Sequence, residues 1–158
     1  MAPVIHRPRP PSATPVPRGL WRRVSALAPL LLPAAAAVPV AALAHALFGL
    51  GLPVAGWRDA AVFFVPAPLL EEWVVRAQLQ AWLEQRLRGL RHAGHWAQVL
   101  ATLFFAALHA PSAGWLCVLW CLPGLALGEL WRRRSSLAMN AGLHAWFNLA
   151  LWWVSAAR

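Results

Sequence analysis

Charge is scarce in this 158-residue chain. Asp, Glu, Lys and Arg together make up 12% of the residues, whereas soluble domains typically carry about 25%. There is no lysine and no tyrosine, and only five residues are acidic. Hydrophobic residues make up 60% and form apolar runs that are too long and too numerous for a small soluble helical domain. The composition therefore predicts an all-α, polytopic membrane protein built as a helical bundle.

Cysteine is nearly absent as well. The chain has two, Cys117 and Cys121, four residues apart on a predicted helix and without a CxxC pair. This spacing argues against metal or redox chemistry at the thiols, which we expect to pack as small apolar side chains. The zinc-hydrolase motif HExxH is also missing.

The net charge of +9 would by itself permit binding to nucleic acid. The arginines instead border apolar runs, as the positive-inside rule expects for loops on the cytoplasmic side. The clusters are Arg7, Arg9, Arg18, Arg22 and Arg23, then Arg86, Arg88 and Arg91, and then Arg132, Arg133 and Arg134. We therefore predict a lipid bilayer rather than nucleic acid as the partner, with the amino terminus in the cytoplasm. Richness in arginine and alanine favours a bacterial source, and hence the inner membrane.

Two regions follow from the composition. Residues 1–20 are rich in proline and arginine and predict a disordered cytoplasmic tail. Residues 21–158 predict one transmembrane domain. Its first apolar run, 24–52, exceeds the 7–15 residues of a signal-peptide core, so we expect a retained span.

About five transmembrane helices are predicted from hydropathy and helix breakers. They lie near 24–50, 60–83, 96–111, 113–131 and 136–155. The third and fifth are at the short end of what crosses a bilayer.

Isolated polar residues occur on three of these spans. The second carries Glu71, Glu72 and Arg76, and the third carries His109. The fifth carries polar residues spaced by four, so that they share one helix face: Asn140, His144 and Asn148. With a rise of about 1.5 Å per residue, Glu71, His109, His144 and Asn148 lie about 12–20 Å from the predicted cytoplasmic ends. Carboxylates at such depth are costly and usually mark a functional site.

Local geometry suggests different roles for the two glutamates. Glu72 and Arg76 are i,i+4 neighbours and are expected to form an ion pair. Glu71 is rotated about 100° away, which leaves its carboxylate for use as a general base. His109 would hold or deprotonate the same water, and His144 and Asn148 would donate hydrogen bonds to an oxyanion. These groups together predict hydrolysis of an amide or ester.

Three short motifs resemble those of the CPBP family of intramembrane proteases, also called the CAAX-protease/Abi family. EExxxR matches residues 71–76, FxxxH matches 105–109 and HxxxN matches 144–148. Each motif alone is weak, but all three in order on separate spans are quite specific. The resemblance covers about 63–150, which we take as the catalytic core.

The resemblance implies an all-helical glutamate-type endopeptidase without a catalytic metal. Glu71 would activate water with help from His109, and His144 and Asn148 would be the oxyanion partners. The substrate would be a membrane protein, or a lipidated or carboxy-terminally tagged peptide. The chain is shorter than eight-span members, so it is more similar to compact bacterial members that process carboxy-terminal sorting tags, or to bacteriocin-immunity members.

Two other functions remain open at this point. A zinc-dependent membrane hydrolase would use Glu71, His109 and His144 as metal ligands. A non-catalytic immunity or scaffold protein would keep the pocket without the reaction.

Overall fold

In a computed structural model, the backbone is described for residues 18–157 and the side chains from residue 27. The predicted tail, 1–20, lies outside the described residues except for its last three, which belong to the first helix. The described residues form helices joined by short connections, without strands, which confirms the all-α prediction.

Eight α-helices, one π segment and one 3₁₀ segment follow one another. They are α1 (Arg18–Phe48), α2 (Trp57–Phe64), α3 (Pro66–Glu72), the π segment (Trp73–Gln80), α4 (Ala81–Arg86), α5 (Ala93–Leu108), α6 (Ala110–Ala113), the 3₁₀ segment (Gly114–Trp120), α7 (Cys121–Arg134) and α8 (Leu137–Ala156). Helix α1 packs mainly against α8, and α5 packs mainly against α7.

Two described helices are long and apolar enough to cross a bilayer by length and hydropathy alone. They are Leu27–Phe48 and the continuous stretch Ala110–Arg134, while the apolar helix α5 has only 16 residues. The number of spans, expected to be five, therefore stays a prediction. In α8, the polar residues needed inside the bundle lower the mean hydropathy.

The second predicted span, 60–83, is not one continuous α-helix. It breaks at Val65, whose backbone has φ −125° and ψ −76°. Pro66 and Pro68 explain the break, because proline lacks an N–H and disfavours the helical conformation in the residue before it. Beyond α3 the chain forms the π segment, a rare element that often occurs at functional sites.

The other predicted boundaries are shifted by a few residues. Helix α5 begins and ends three residues earlier than the third predicted span, so His109 lies just past its end. The region predicted as the fourth span begins with α6 and the 3₁₀ segment, which starts at Gly114 with φ +58°. Helix α8 agrees with the fifth predicted span within one residue.

Among the described residues, the interior contains polar as well as apolar side chains, and the exterior is largely apolar. The buried polar or charged residues are Glu72, Arg76, Gln80, Gln98, Thr102, Asn140 and His144. Large apolar side chains lie outside, among them Leu32, which is 70% exposed, and Leu47, which is 63% exposed. Exposed apolar surface on this scale is typical of a protein surrounded by lipid.

Four buried side chains donate hydrogen bonds to backbone carbonyls of α7. The bonds run from Arg76 to Gly124 (3.0 Å), from Gln98 to Leu125 (2.9 Å), from Asn140 to Leu127 (2.8 Å) and from Gln80 to Gly128 (3.2 Å). Gly124 and Gly128 form the GxxxG of this helix. The missing side chain of Gly128 leaves room for Gln98, Gln80 and Arg76, and that of Gly124 leaves room for Thr102 and Phe105.

Substitution of Gly128 is expected to destabilise this packing. A Cβ atom there would lie 2.7 Å from Gln98 Cγ and 3.2 Å from Gln80 Oε1. Overpacking of this kind typically costs about 1–3 kcal/mol, so we expect Gly128→Ala to lower the thermal midpoint in detergent micelles. Gly142→Ala is the matched control, because a Cβ atom on Gly142 in α8 meets nothing within 4 Å. Equal midpoints for the two variants would contradict the expectation.

Candidate active site

Glu72 is fully buried at the end of α3, and three groups contact its carboxylate. Arg76 Nε lies 3.4 Å from Oε2, so the ion pair expected from the i,i+4 spacing is present. Asn140 Nδ2 donates to Oε2 at 3.0 Å, and His144 Nδ1 lies 3.0 Å from Oε1. The carboxylate is thus held by one cation and two side chains of α8.

Arg76 is anchored on several sides as well. Its Nη1 donates to Gln80 Oε1 at 3.3 Å, and its guanidinium lies 5.6 Å from the centre of the Phe105 ring. Together with the bond to Gly124, these contacts join the π segment to α5 and α7. These contacts hold the Arg76 guanidinium in one position beside the Glu72 carboxylate.

Glu71 differs from Glu72 in its surroundings. Its side chain is 33% exposed, and Oε2 lies 3.7 Å from His144 Nε2. Among the described residues, this oxygen has no hydrogen-bond partner. Glu71 thus has a buried carboxylate oxygen with unused hydrogen-bonding capacity beside the histidine that Glu72 orients.

His144 connects the two glutamates through its two ring nitrogens. A carboxylate only accepts hydrogen bonds, so an ionised Glu72 fixes a proton on Nδ1. Nε2 then faces Glu71. In the neutral ring Nε2 is an acceptor, and it donates only when the ring is an imidazolium.

His109 lies between α5 and α6, with its ring between two aromatic side chains. Nδ1 donates to the Phe105 carbonyl at 2.9 Å, which leaves Nε2 as the free nitrogen. The ring stacks on Trp120 at 5.0 Å, and Phe105 lies 4.8 Å away. Phe105 also contacts His144 at 5.6 Å, so one phenyl ring separates the two histidines.

Asn148 forms a hydrogen bond to the backbone of α2, next to the break between α2 and α3. Its Nδ2 donates to the Phe63 carbonyl at 2.9 Å. In an unbroken helix this carbonyl would accept a bond from the residue four positions later, but the break at Val65 removes that partner. Asn148 keeps a second N–H beyond this contact.

An apolar cavity of about 250 Å³ adjoins these residues. Helix α1 contributes small residues to one wall, including Ala37 and Ala41, while Trp120 forms part of another wall. His144 and Asn148 line the same cavity. Such a cavity can accept an apolar portion of a substrate next to the polar groups.

Sequence reasoning gave no role to several residues that the structure places at the site. Asn140 was predicted to share a helix face with His144 and Asn148 but was given no role, and it is fully buried and bonded to Glu72. Its i,i+4 spacing from His144 was the available signal. Nothing in the sequence except the aromatic character of Phe105 and Trp120 indicated that these two side chains would contact the histidines.

Within the described residues, no group of three His, Cys, Asp or Glu side chains has an arrangement that could hold a metal ion. The site combines the Glu71 carboxylate with His144 beside it and with the amide of Asn148, which lines the apolar cavity together with His144. His109 is separated from His144 by the Phe105 ring. These are groups that can accept a proton from water and stabilise developing negative charge.

Comparison with known proteins gives one match. No curated protein and no solved structure is significantly similar to the chain. The family described as type II CAAX prenyl endopeptidase Rce1-like matches residues 53–150, a region that contains all six predicted site residues. Because the match covers more than half of the sequence, the chain belongs to this Rce1-like family of membrane-embedded CAAX-protease-like endopeptidases, whose substrates are membrane-associated proteins.

Proposed function

We propose that the chain is a glutamate-type intramembrane endopeptidase in which Glu71 activates the attacking water. The supporting observation is the contrast between the two glutamates. Glu72 is buried and fully engaged, whereas the Glu71 side chain is partly exposed and its buried Oε2 has no hydrogen-bond partner among the described residues beside His144. A carboxylate oxygen without a partner can accept a hydrogen bond from a water that enters the site, as a general base must.

In the proposed reaction, the water oxygen attacks the carbonyl carbon of the scissile peptide bond while Glu71 takes one water proton. The C–N bond of the tetrahedral intermediate then breaks, and Glu71 passes the proton to the leaving amine nitrogen. His109 accepts a hydrogen bond from the water through Nε2, because its Nδ1 is occupied by the Phe105 carbonyl.

His144 stabilises the oxyanion as a transient imidazolium, which forms when Glu71 shares the water proton with Nε2, 3.7 Å away, before that proton reaches the leaving amine. The imidazolium then donates from Nδ1 to Glu72 and from Nε2 toward the oxyanion. The remaining N–H of Asn148 is the second donor, since Asn148 lines the same cavity as His144.

The proposed substrate is a peptide that is brought to the site by its own membrane anchor, such as a protein with a carboxy-terminal sorting tag. The site lies among helices with apolar outer surfaces and opens on an apolar cavity. In the proposed orientation the amino terminus and the Arg132–Arg134 end of α7 are in the cytoplasm of a bacterial cell, as the positive-inside rule favours.

Cleavage of anchored peptides by the purified protein in proteoliposomes tests this function. We expect new peptide termini by mass spectrometry, and we expect the rate to be unchanged after treatment with a zinc chelator. Loss of cleavage on chelation, with recovery on adding zinc, would instead support the zinc-hydrolase alternative. If a broad set of anchored peptides remained uncleaved, the enzymatic proposal would be contradicted.

A further inference from the structure

Asn140 lies one helical turn before His144 on α8 and is fully buried. Its Nδ2 donates one hydrogen bond to Glu72 Oε2 at 3.0 Å and the other to the Leu127 carbonyl at 2.8 Å. Both amide hydrogens are therefore used. One of them fixes a carboxylate, and the other fixes the amide to the α7 backbone.

Burying the Asn140 amide costs free energy, because one of its polar atoms stays without a hydrogen bond in the part of the chain that the structure describes. Among the described residues, Asn140 Oδ1 has no hydrogen-bond partner. An apolar residue would avoid this unsatisfied oxygen, so packing alone does not favour asparagine at this position. The benefit of the amide must lie in its two donated bonds.

We propose that Asn140 is a positioning residue that sets the orientation of the Glu72 carboxylate and, through it, the proton on His144. Arg76 and Asn140 both contact Oε2, while Oε1 accepts from His144 Nδ1. Because Asn140 ties Oε2 to α7, Oε1 is kept toward His144 Nδ1, and Nε2 is kept toward Glu71. This inference deepens the proposed function and rests on it.

The test compares Asn140→Leu with Gln98→Leu. Gln98 is the matched control, because it also donates from a buried amide to an α7 carbonyl but contacts neither glutamate. We expect Asn140→Leu to lower kcat by about 10–100-fold with little change in KM, as is typical when a group that orients a functional side chain is lost. Gln98→Leu should retain kcat within about threefold while showing a similar loss of thermal stability.

A second measurement does not depend on turnover. Nitrogen-15 NMR of histidine-labelled protein, with His144 assigned from a His144→Gln spectrum, reports which ring nitrogen carries the proton. We expect Nδ1 of His144 to be protonated in the wild type and in Gln98→Leu, and the proton to be distributed over both nitrogens in Asn140→Leu. If Asn140→Leu fails to fold, Asn140→Ser, which keeps one donor, is expected to show the same change to a smaller degree.

The two measurements separate the two proposals. An unchanged His144 signal in a folded Asn140 variant would overturn the positioning role, whatever the state of the protease assay. A changed signal in a protein whose wild type cleaves no anchored peptide would support the positioning role and contradict the proposed protease function. Equal loss of kcat in the Asn140 and Gln98 variants would mean that Asn140 has a purely structural role.

Discussion

Replacing Glu71 with glutamine is expected to remove peptide cleavage while leaving the protein folded. The glutamine amide cannot accept a proton from water, and loss of a general base typically lowers the rate by about 10²–10⁴-fold. The fold should be preserved because the Glu71 carboxylate is partly exposed and forms no hydrogen bond with the described residues through Oε2. The measurement is turnover of an anchored, internally quenched peptide that the wild type cleaves, in proteoliposomes.

Two further variants test whether the loss of cleavage is specific to Glu71. Glu84→Gln removes a carboxylate from α4, outside the site, and should leave cleavage near the wild-type rate. Glu72→Gln should reduce thermal stability as well as rate, because it leaves Arg76 buried without its carboxylate. A Glu71→Gln protein that cleaves normally, together with a folded but inactive Glu72→Gln protein, would reverse the assigned roles.

Helix content and the Glu72–Arg76 pair were predictable because both follow from local patterns. Apolar runs of about 20 residues indicate helices, and i,i+4 spacing places two side chains on one face. The pair forms even though residues from Trp73 onward belong to a π segment. Residues four apart remain neighbours in this wider turn, so the local rule still held.

The break at Val65 and the role of Asn148 were harder to foresee. Pro66 and Pro68 indicated a weak point in the second span, but hydropathy is insensitive to a break that leaves the composition apolar. The consequence, a Phe63 carbonyl bonded to a side chain of α8, joins residues that are 85 positions apart. Sequence periodicity describes one helix at a time and does not reveal such pairings.

The cavity wall formed by α1 was not predicted for a similar reason. The three motifs lie on other helices, and beyond Ser25 helix α1 is apolar except for His45, with three internal prolines. Small residues such as Ala37 and Ala41 leave space that becomes a cavity only once α7 and α8 are placed opposite them. Volume between helices depends on packing, which an apolar sequence leaves undetermined.

Replacing Arg76 with methionine is expected to cause the largest loss of stability. Methionine fills much of the same volume, but it leaves the buried Glu72 carboxylate without a cation and also removes the bonds to Gly124 and Gln80. Breaking a buried ion pair by removing one partner typically costs about 3–5 kcal/mol. Because folded proteins are usually stable by about 5–15 kcal/mol, such a loss is a substantial fraction of the total. The measurement is thermal unfolding in detergent micelles, followed by circular dichroism.

Arg132→Met is the matched control for this prediction. Arg132 pairs with Glu129 at 2.7 Å, but the two side chains are 26% and 25% exposed, and Arg133 also contacts Glu129. A partly exposed pair of this kind is typically worth less than about 1 kcal/mol, so the midpoint should change little. The double variant Glu72→Gln with Arg76→Met should lose less stability than the sum of the two single variants, because it leaves neither charge of the pair buried alone. Two outcomes would contradict this prediction: similar midpoints for Arg76→Met and Arg132→Met, or additive losses in the double variant. Either one would show that the buried pair does not hold the π segment against α8.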